Sequence, residues 1–196
     1  MDIISISLGF ETEIASIKDA LEKAHSKNVV IVAAAGNHGI MKKIAFPARL
    51  MSCVICIGAA NGAGEKATFT ADELDLLKYS APGVAVRGAS IINSFSKYTA
   101  SFFYPSTERR DGTSVATPIA AGLAALLIEY TRQPKNKCNE AKGHVDMLKL
   151  FYKMSSERMQ TYRFLKPWTL LDEDGTLRDK IHSALIAGNL TFYDCG

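Results

Sequence analysis

Asp111-Gly112-Thr113-Ser114-Val115-Ala116-Thr117-Pro118 stands where a loop gives way to a long apolar run. A serine at such a junction has its own backbone N–H among the donors that a first helical turn leaves unpaired, aimed at whatever binds there. Pro118 falls inside the run, where it has no N–H to give the carbonyl of Ser114 and is ordinarily selected against. Local rules broken together often mark functional sites. A plain cap, Thr113 or Ser114 on a core helix, explains the same spacing, and the residues alone leave both readings open. Other reactive side chains point less clearly. Cys53 and Cys56 form C-x2-C, but Cys138 and Cys195 do not supply a second pair at zinc spacing, so both are expected in the core. Gly58 to Lys66 has the outline of a phosphate loop, yet Glu65 separates Gly64 from Lys66 and no Ser or Thr follows, which argues against a nucleotide.

The elements that must position Ser114 are legible from periodicity. Residues 2–8 form an apolar strand, and Glu11 to Lys27 follow as an amphipathic helix with Ile14, Ile17, Leu21 and Ala24 on one stripe and Thr12 as its cap. Val29 to Ala35 is a short β-branched run closed by Gly36-Asn37, and Cys53 to Ala59 is a third. Strand, helix, strand predicts a doubly wound, mostly parallel α/β sheet with helices on both faces. Gly112 to Tyr130 reads as a buried central helix, followed past Gln133-Pro134 by a helical tail, residues 134–196. The tail's clearest helix is Val145 to Met154, whose Met147, Leu148, Phe151, Tyr152 and Met154 are expected against the back of the sheet; Leu177, Ile181, Leu185 and Ile186 mark a weaker one.

Composition narrows the class. The 196 residues are 47% hydrophobic and 22% charged, enough for one domain with a real core and unlike any disordered or disulfide-dense chain. The 23 basic residues, against 20 acidic, are scattered singly or in pairs such as Lys42/Lys43 and Arg109/Arg110, which predicts no nucleic-acid partner. The uncharged run from Pro118 to Ile128 is about half of the ~20 residues a membrane helix requires, so no membrane partner is expected. Met1-Asp2 opens straight into a strand rather than a signal peptide, and the unpaired Cys53 and Cys56 lean toward an intracellular setting.

Asp111 to Gly122, DGTSVATPIAAG, resembles the nucleophile motif of the subtilisin family of serine proteases, G-T-S-x-A-[ST]-P followed by A-G. Three further segments resemble the family in the family's order: DIISISLG from Asp2, VVIVAAAGN from Val29 to Asn37, and FPARLMSCVICIGA from Phe46, with Ala81-Pro82-Gly83 before the nucleophile. The resemblance covers residues 2 to 130 and makes residues 1–133 the C-terminal half of a catalytic domain. It implies a serine endopeptidase with Ser114 as nucleophile, and Asn37 with the Ser114 N–H as oxyanion hole, supported from behind by Thr113. Ser7, Leu8 and Gly9 would pair with an extended peptide substrate. Ala34, Ala35 and Gly36 would wall the pocket for the side chain before the cut, small enough to admit a large apolar one. Phe46-Pro47 matches a bond that is cis in the family. Phe10 replaces a usual Gly, Val115 a frequent Met, and Ile119 a usual His. Calcium is common in the family, but no ligand set is recognisable here, and no cofactor is expected.

The family's catalytic Asp and His motifs, D-[ST]-G and H-G-T, occur nowhere in these residues. His25 is expected on a solvated helix end, and His144 and His182 fall in the tail. His38 follows Asn37 directly, although base and oxyanion donor must flank the carbonyl from different sides. Asp2 reads as a strand-edge charge. The chain alone is thus expected to be inactive or nearly so, its base coming from an N-terminal half as partner. A peptide-binding pseudoprotease and a truncated product with a raw sheet edge are the competing readings.

Overall fold

The computed structural model describes residues 1–71, 78–93, 103–136, 140–159, 162–171 and 177–186. A six-stranded sheet is built from β1 (Ile3–Ile6), β2 (Val30–Ala34), β3 (Ile55–Ala60), β4 (Lys78–Pro82), β7 (Ser155–Met159) and β8 (Tyr162–Leu165), in the order β1-β2-β3-β4-β8-β7. All neighbours are parallel except β8 and β7. Among the described residues two further strands, β5 (Val86–Asn93) and β6 (Phe103–Arg110), form a separate antiparallel ribbon leading into the Asp111–Ser114 turn.

The run Val30, Ile31, Val32, Ala33 is apolar throughout because the sheet is covered on both faces. Val30 and Val32, with Ile55, Ile57 and Tyr79, face the large helix α2 (Thr113–Arg132) and the helices α3 (Gly143–Lys153) and α5 (Leu177–Ile186). Ile31 and Ala33, with Cys53 and Cys56, face α1 (Ala15–His25) through Leu21. Alternate residues of one strand thus serve two cores. A short helix, α4 (Trp168–Leu171), joins the first core through Leu170. By length and hydropathy alone α2 is apolar enough to cross a membrane. Ala116, Ala120, Ala124 and Leu127 instead lie at i, i+4, i+8 and i+11 against β1 to β4, a stripe of small residues that lets helix and sheet approach closely.

Three expectations need correction. The first helix starts at Ala15 behind Ile14, with no side-chain cap, rather than at Thr12. Phe10 forms an antiparallel bridge with Phe46, and Glu11 pairs with Lys42, which holds the chain off helical geometry for those residues. The region after residue 133 is not wholly helical: β7 and β8 extend the same sheet, β8 pairing in parallel with β4. On α3, Leu150 rather than Leu148 completes the buried face with Met147, Phe151 and Met154, while Tyr152 is exposed and lies under the Arg163 guanidinium, 3.9 Å from its ring centre. The Phe46–Pro47 bond is cis. Cys53 and Cys56 are free and buried, and burial pushes the Cys53 thiol pKa up; Cys138 and Cys195 lie outside the described residues.

Candidate active site

The carboxyl ends of parallel strands are where open α/β sheets place their ligands. Here the segments just beyond β1, β2 and β4 converge on the start of α2. Beyond β4, Gly83 accepts a hydrogen bond from Gly112 N at 2.8 Å; a Cβ on Gly83 would stand 2.6 Å from Ala59 Cβ and 2.8 Å from the Gly112 carbonyl. Only glycine permits that approach, which explains Gly83 in Ala81-Pro82-Gly83. The ribbon is pinned alongside by Asp111, whose carboxylate accepts from Ala85 N at 2.5 Å.

Gly112, at φ 146°, turns the chain into α2. Beyond β2, Asn37 Oδ1 accepts from both Thr113 N at 2.8 Å and Thr113 Oγ1 at 2.9 Å. Thr113 Oγ1 in turn accepts from Gly36 N at 3.2 Å. With its oxygen doubly occupied, the carboxamide presents Nδ2 outward. A Cβ built on Gly112 would meet Ser114 Oγ at 3.0 Å and Asn37 Nδ2 at 3.3 Å, so both groups border the one open space above that glycine. Of the first helical N–H groups, that of Thr113 goes to Asn37, and those of Val115 and Ala116 go to the Gly112 carbonyl. The Ser114 N–H alone is left without an acceptor among the described residues.

Pro118 removes the helical donor for the Ser114 carbonyl, and a side chain from another element fills the vacancy: Ser7 Oγ donates to it at 2.9 Å. That bond ties the segment after β1 to the turn that carries Ser114 and is not visible in the spacing. Between the two loops lies a cleft of about 560 Å³, lined by Ser7, Leu8, Gly9, Ala34, Gly36, Asn37, Thr113 and Ser114 among others. Every expected site residue thus lies at this cleft except Ala35, which is fully buried beneath its wall and hydrogen-bonds outward through its backbone, donating to Ile57 and accepting from Ala45.

No ring or carboxylate hydrogen-bonds to Ser114 Oγ among the described residues. His38 Nε2 lies 3.0 Å from the Lys43 carbonyl, and its ring covers Gly36, which takes φ 109°. His25 is half-buried rather than freely solvated; it packs edge-on against His144, ring centres 5.4 Å apart. Asp2 is more than a strand-edge charge: Arg132 Nη2 donates to its carboxylate at 2.7 Å and holds its pKa below the usual range. No group of three or more His, Cys, Asp or Glu side chains placed to hold an ion occurs among the described residues, so no calcium site is assigned.

A parallel α/β sheet with a serine at a helix start, set beside an outward carboxamide at the strands' carboxyl ends, has the architecture of a serine hydrolase. The chain belongs to the subtilase family, whose model matches residues 1–161. It is 35% identical over 133 residues to subtilisin from Bacillus pumilus, covering 65% of this chain and 42% of that protein. It matches subtilisin E of Bacillus subtilis at the same identity, covering 31% of it. The chain therefore spans about a third to two fifths of these relatives. Among solved structures, the protease domain of PatA, as a point mutant, superposes with a TM-score of 0.66 at 25% identity, over 95% of this chain and 60% of that one. The prenylagaramide maturation protease PagA gives 0.63 at 26%, over 82% and 54%. Both extend well past residue 133.

Proposed function

We propose that this chain carries the nucleophile half of a serine endopeptidase site. Ser114 Oγ attacks the carbonyl carbon of a bound peptide while a base takes its proton. The resulting oxyanion sits above Gly112, held by Asn37 Nδ2 and the Ser114 N–H. Collapse expels the amine, protonated by the same base, and leaves an acyl group on Ser114 for water to remove. Thr113 orients Asn37 by occupying its oxygen, and Ser7 to Gly9 offer backbone to an extended substrate. The observation that carries the reading is the pairing of two donors without acceptors among the described residues, Asn37 Nδ2 and Ser114 N–H, around one glycine-made space beside Ser114 Oγ.

The base is supplied from outside these residues, by a segment bearing the family's Asp and His. One test mixes this chain with a separately expressed subtilase N-terminal half and measures hydrolysis of a peptide amide. Hydrolysis that requires both parts and disappears in Ser114→Ala supports the proposal; hydrolysis unaffected by Ser114→Ala refutes it. A second reading, a peptide-binding module without turnover, is favoured by the one observation that Ser114 Oγ lacks a base partner among the described residues. Peptide binding without hydrolysis in the mixed sample is its signature.

A further inference from the structure

The cleft continues past the serine. From Ser7, bonded to the Ser114 carbonyl, its wall runs through Gly9 to Glu11. There the segment 42–46 joins the two walls: Phe46 and Phe10 exchange backbone hydrogen bonds of 2.7 and 2.9 Å, and Ala45 N donates to the Ala35 carbonyl at 2.9 Å. Glu11, Lys42 and Lys43 all line the cleft at this end. Lys42 is ion-paired with Glu11, whose carboxyl it holds below the usual range, and Arg49 Nη1 fixes the Glu11 carbonyl at 3.0 Å. Lys43 is exposed, and its ammonium has no hydrogen-bond or ion-pair partner among the described residues. Two cations face one carboxylate, leaving one positive charge over.

Resting on the peptide-cleft reading above, we infer that the cleft selects an acidic side chain, with Lys43 as the residue that recognises its carboxylate. The walls at Ala34 and Gly36 admit an aliphatic stem, as the sequence implies, but the far end is furnished for a carboxylate rather than a methyl group. A Glu or Asp side chain neutralises Lys43 and leaves the Glu11–Lys42 pair intact. A Lys or Arg side chain would have to share Glu11 with Lys42, beside the like charge of Lys43, so the arrangement disfavours cations as well as attracting anions.

The test is fluorescence anisotropy of the full chain with labelled tetrapeptide acids that differ only in a final Glu, Leu or Lys, at low and high salt. The expected result is binding of the Glu peptide about fivefold tighter than the Leu peptide and tighter still than the Lys peptide, with the margin shrinking as salt rises. Lys43→Glu reverses the order of Glu and Lys, and Lys43→Gln removes the preference; circular dichroism confirms that both variants fold. Equal binding of all three peptides, or a preference for Lys, overturns the inference while leaving the peptide cleft in place. Failure of every peptide to bind removes the cleft reading itself, and this inference with it.

Discussion

Two ends of the same sheet treat their polar groups in opposite ways. At the carboxyl ends of the strands, the groups left without partners among the described residues, the Ser114 N–H and hydroxyl and Asn37 Nδ2, all border an open cleft where water or a ligand can satisfy them. At the amino end of β2 an unsatisfied group is sealed in. Asn28, at φ 61°, and Gly143, at φ 71°, bring the end of α1 against the start of α3; a Cβ on Gly143 would lie 3.1 Å from the Asn28 Cα. In that junction His144 is 7% exposed, with Nδ1 unpaired and His25 against its ring. Burial above all, then the neighbouring His25, lowers the pKa of His144 to about 4, against a weaker hydrogen bond to the Met51 backbone. Free polarity in a cleft is available for function; the same polarity under a helix junction costs stability.

The largest expected effect lies at the open end. Asn37→Ala removes one of the two proposed oxyanion donors and is expected to lower turnover of the complemented protein by about 10²–10³-fold, a magnitude known from subtilisin itself. Unchanged turnover would break the distinction drawn for this end. At the sealed end, the unfolded chain takes up a proton at His144 near pH 6.5, whereas the folded chain resists until about pH 4. Stability attributable to this group is therefore full above pH 6.5 and is lost as pH falls to 4, by up to about 3 kcal/mol. Urea denaturation across that window should show the slope, and His144→Leu should flatten it.

Gly112→Ala probes the open end by filling it. Its methyl group would stand 3.0 Å from Ser114 Oγ on a backbone of φ 146°, and we expect a loss of about 2 kcal/mol along with blocked labelling of the serine. Ser7→Ala is the smallest change. It withdraws the donor that replaces the one missing at Pro118 and is expected to cost about 1 kcal/mol in denaturation, the Ser114 carbonyl being left to water.

The open end was largely legible in the sequence because a tight glycine turn into a helix, packed against Asn37, constrains residue type at consecutive positions. Gly112 must take φ 146°, and Thr113 must satisfy Asn37; such demands leave a readable string. The bond from Ser7 was not legible: Pro118 announces an orphaned carbonyl but not which distant hydroxyl answers it. The sealed end left no signal, because a buried histidine in an amphipathic helix has the same spacing as a solvated one. β7 was missed for a related reason. Ser155-Ser156-Glu157 is a polar edge segment, and Arg163 in β8 reads as surface although its guanidinium lies over Tyr152 and donates to Ser155 Oγ at 2.9 Å. α1 began late because a long-range bridge, Phe10 to Phe46, overrode local helical preference.

In the proposed site Ser114 is a nucleophile that awaits its base. The direct measurement is mass-spectrometric mapping of a fluorophosphonate adduct on the folded chain, alone and mixed with a subtilase N-terminal half. The expected result is an adduct on Ser114 in the mixture and little or none on the chain alone. A folded, mixed sample with no adduct, or with the adduct on another serine, would contradict it.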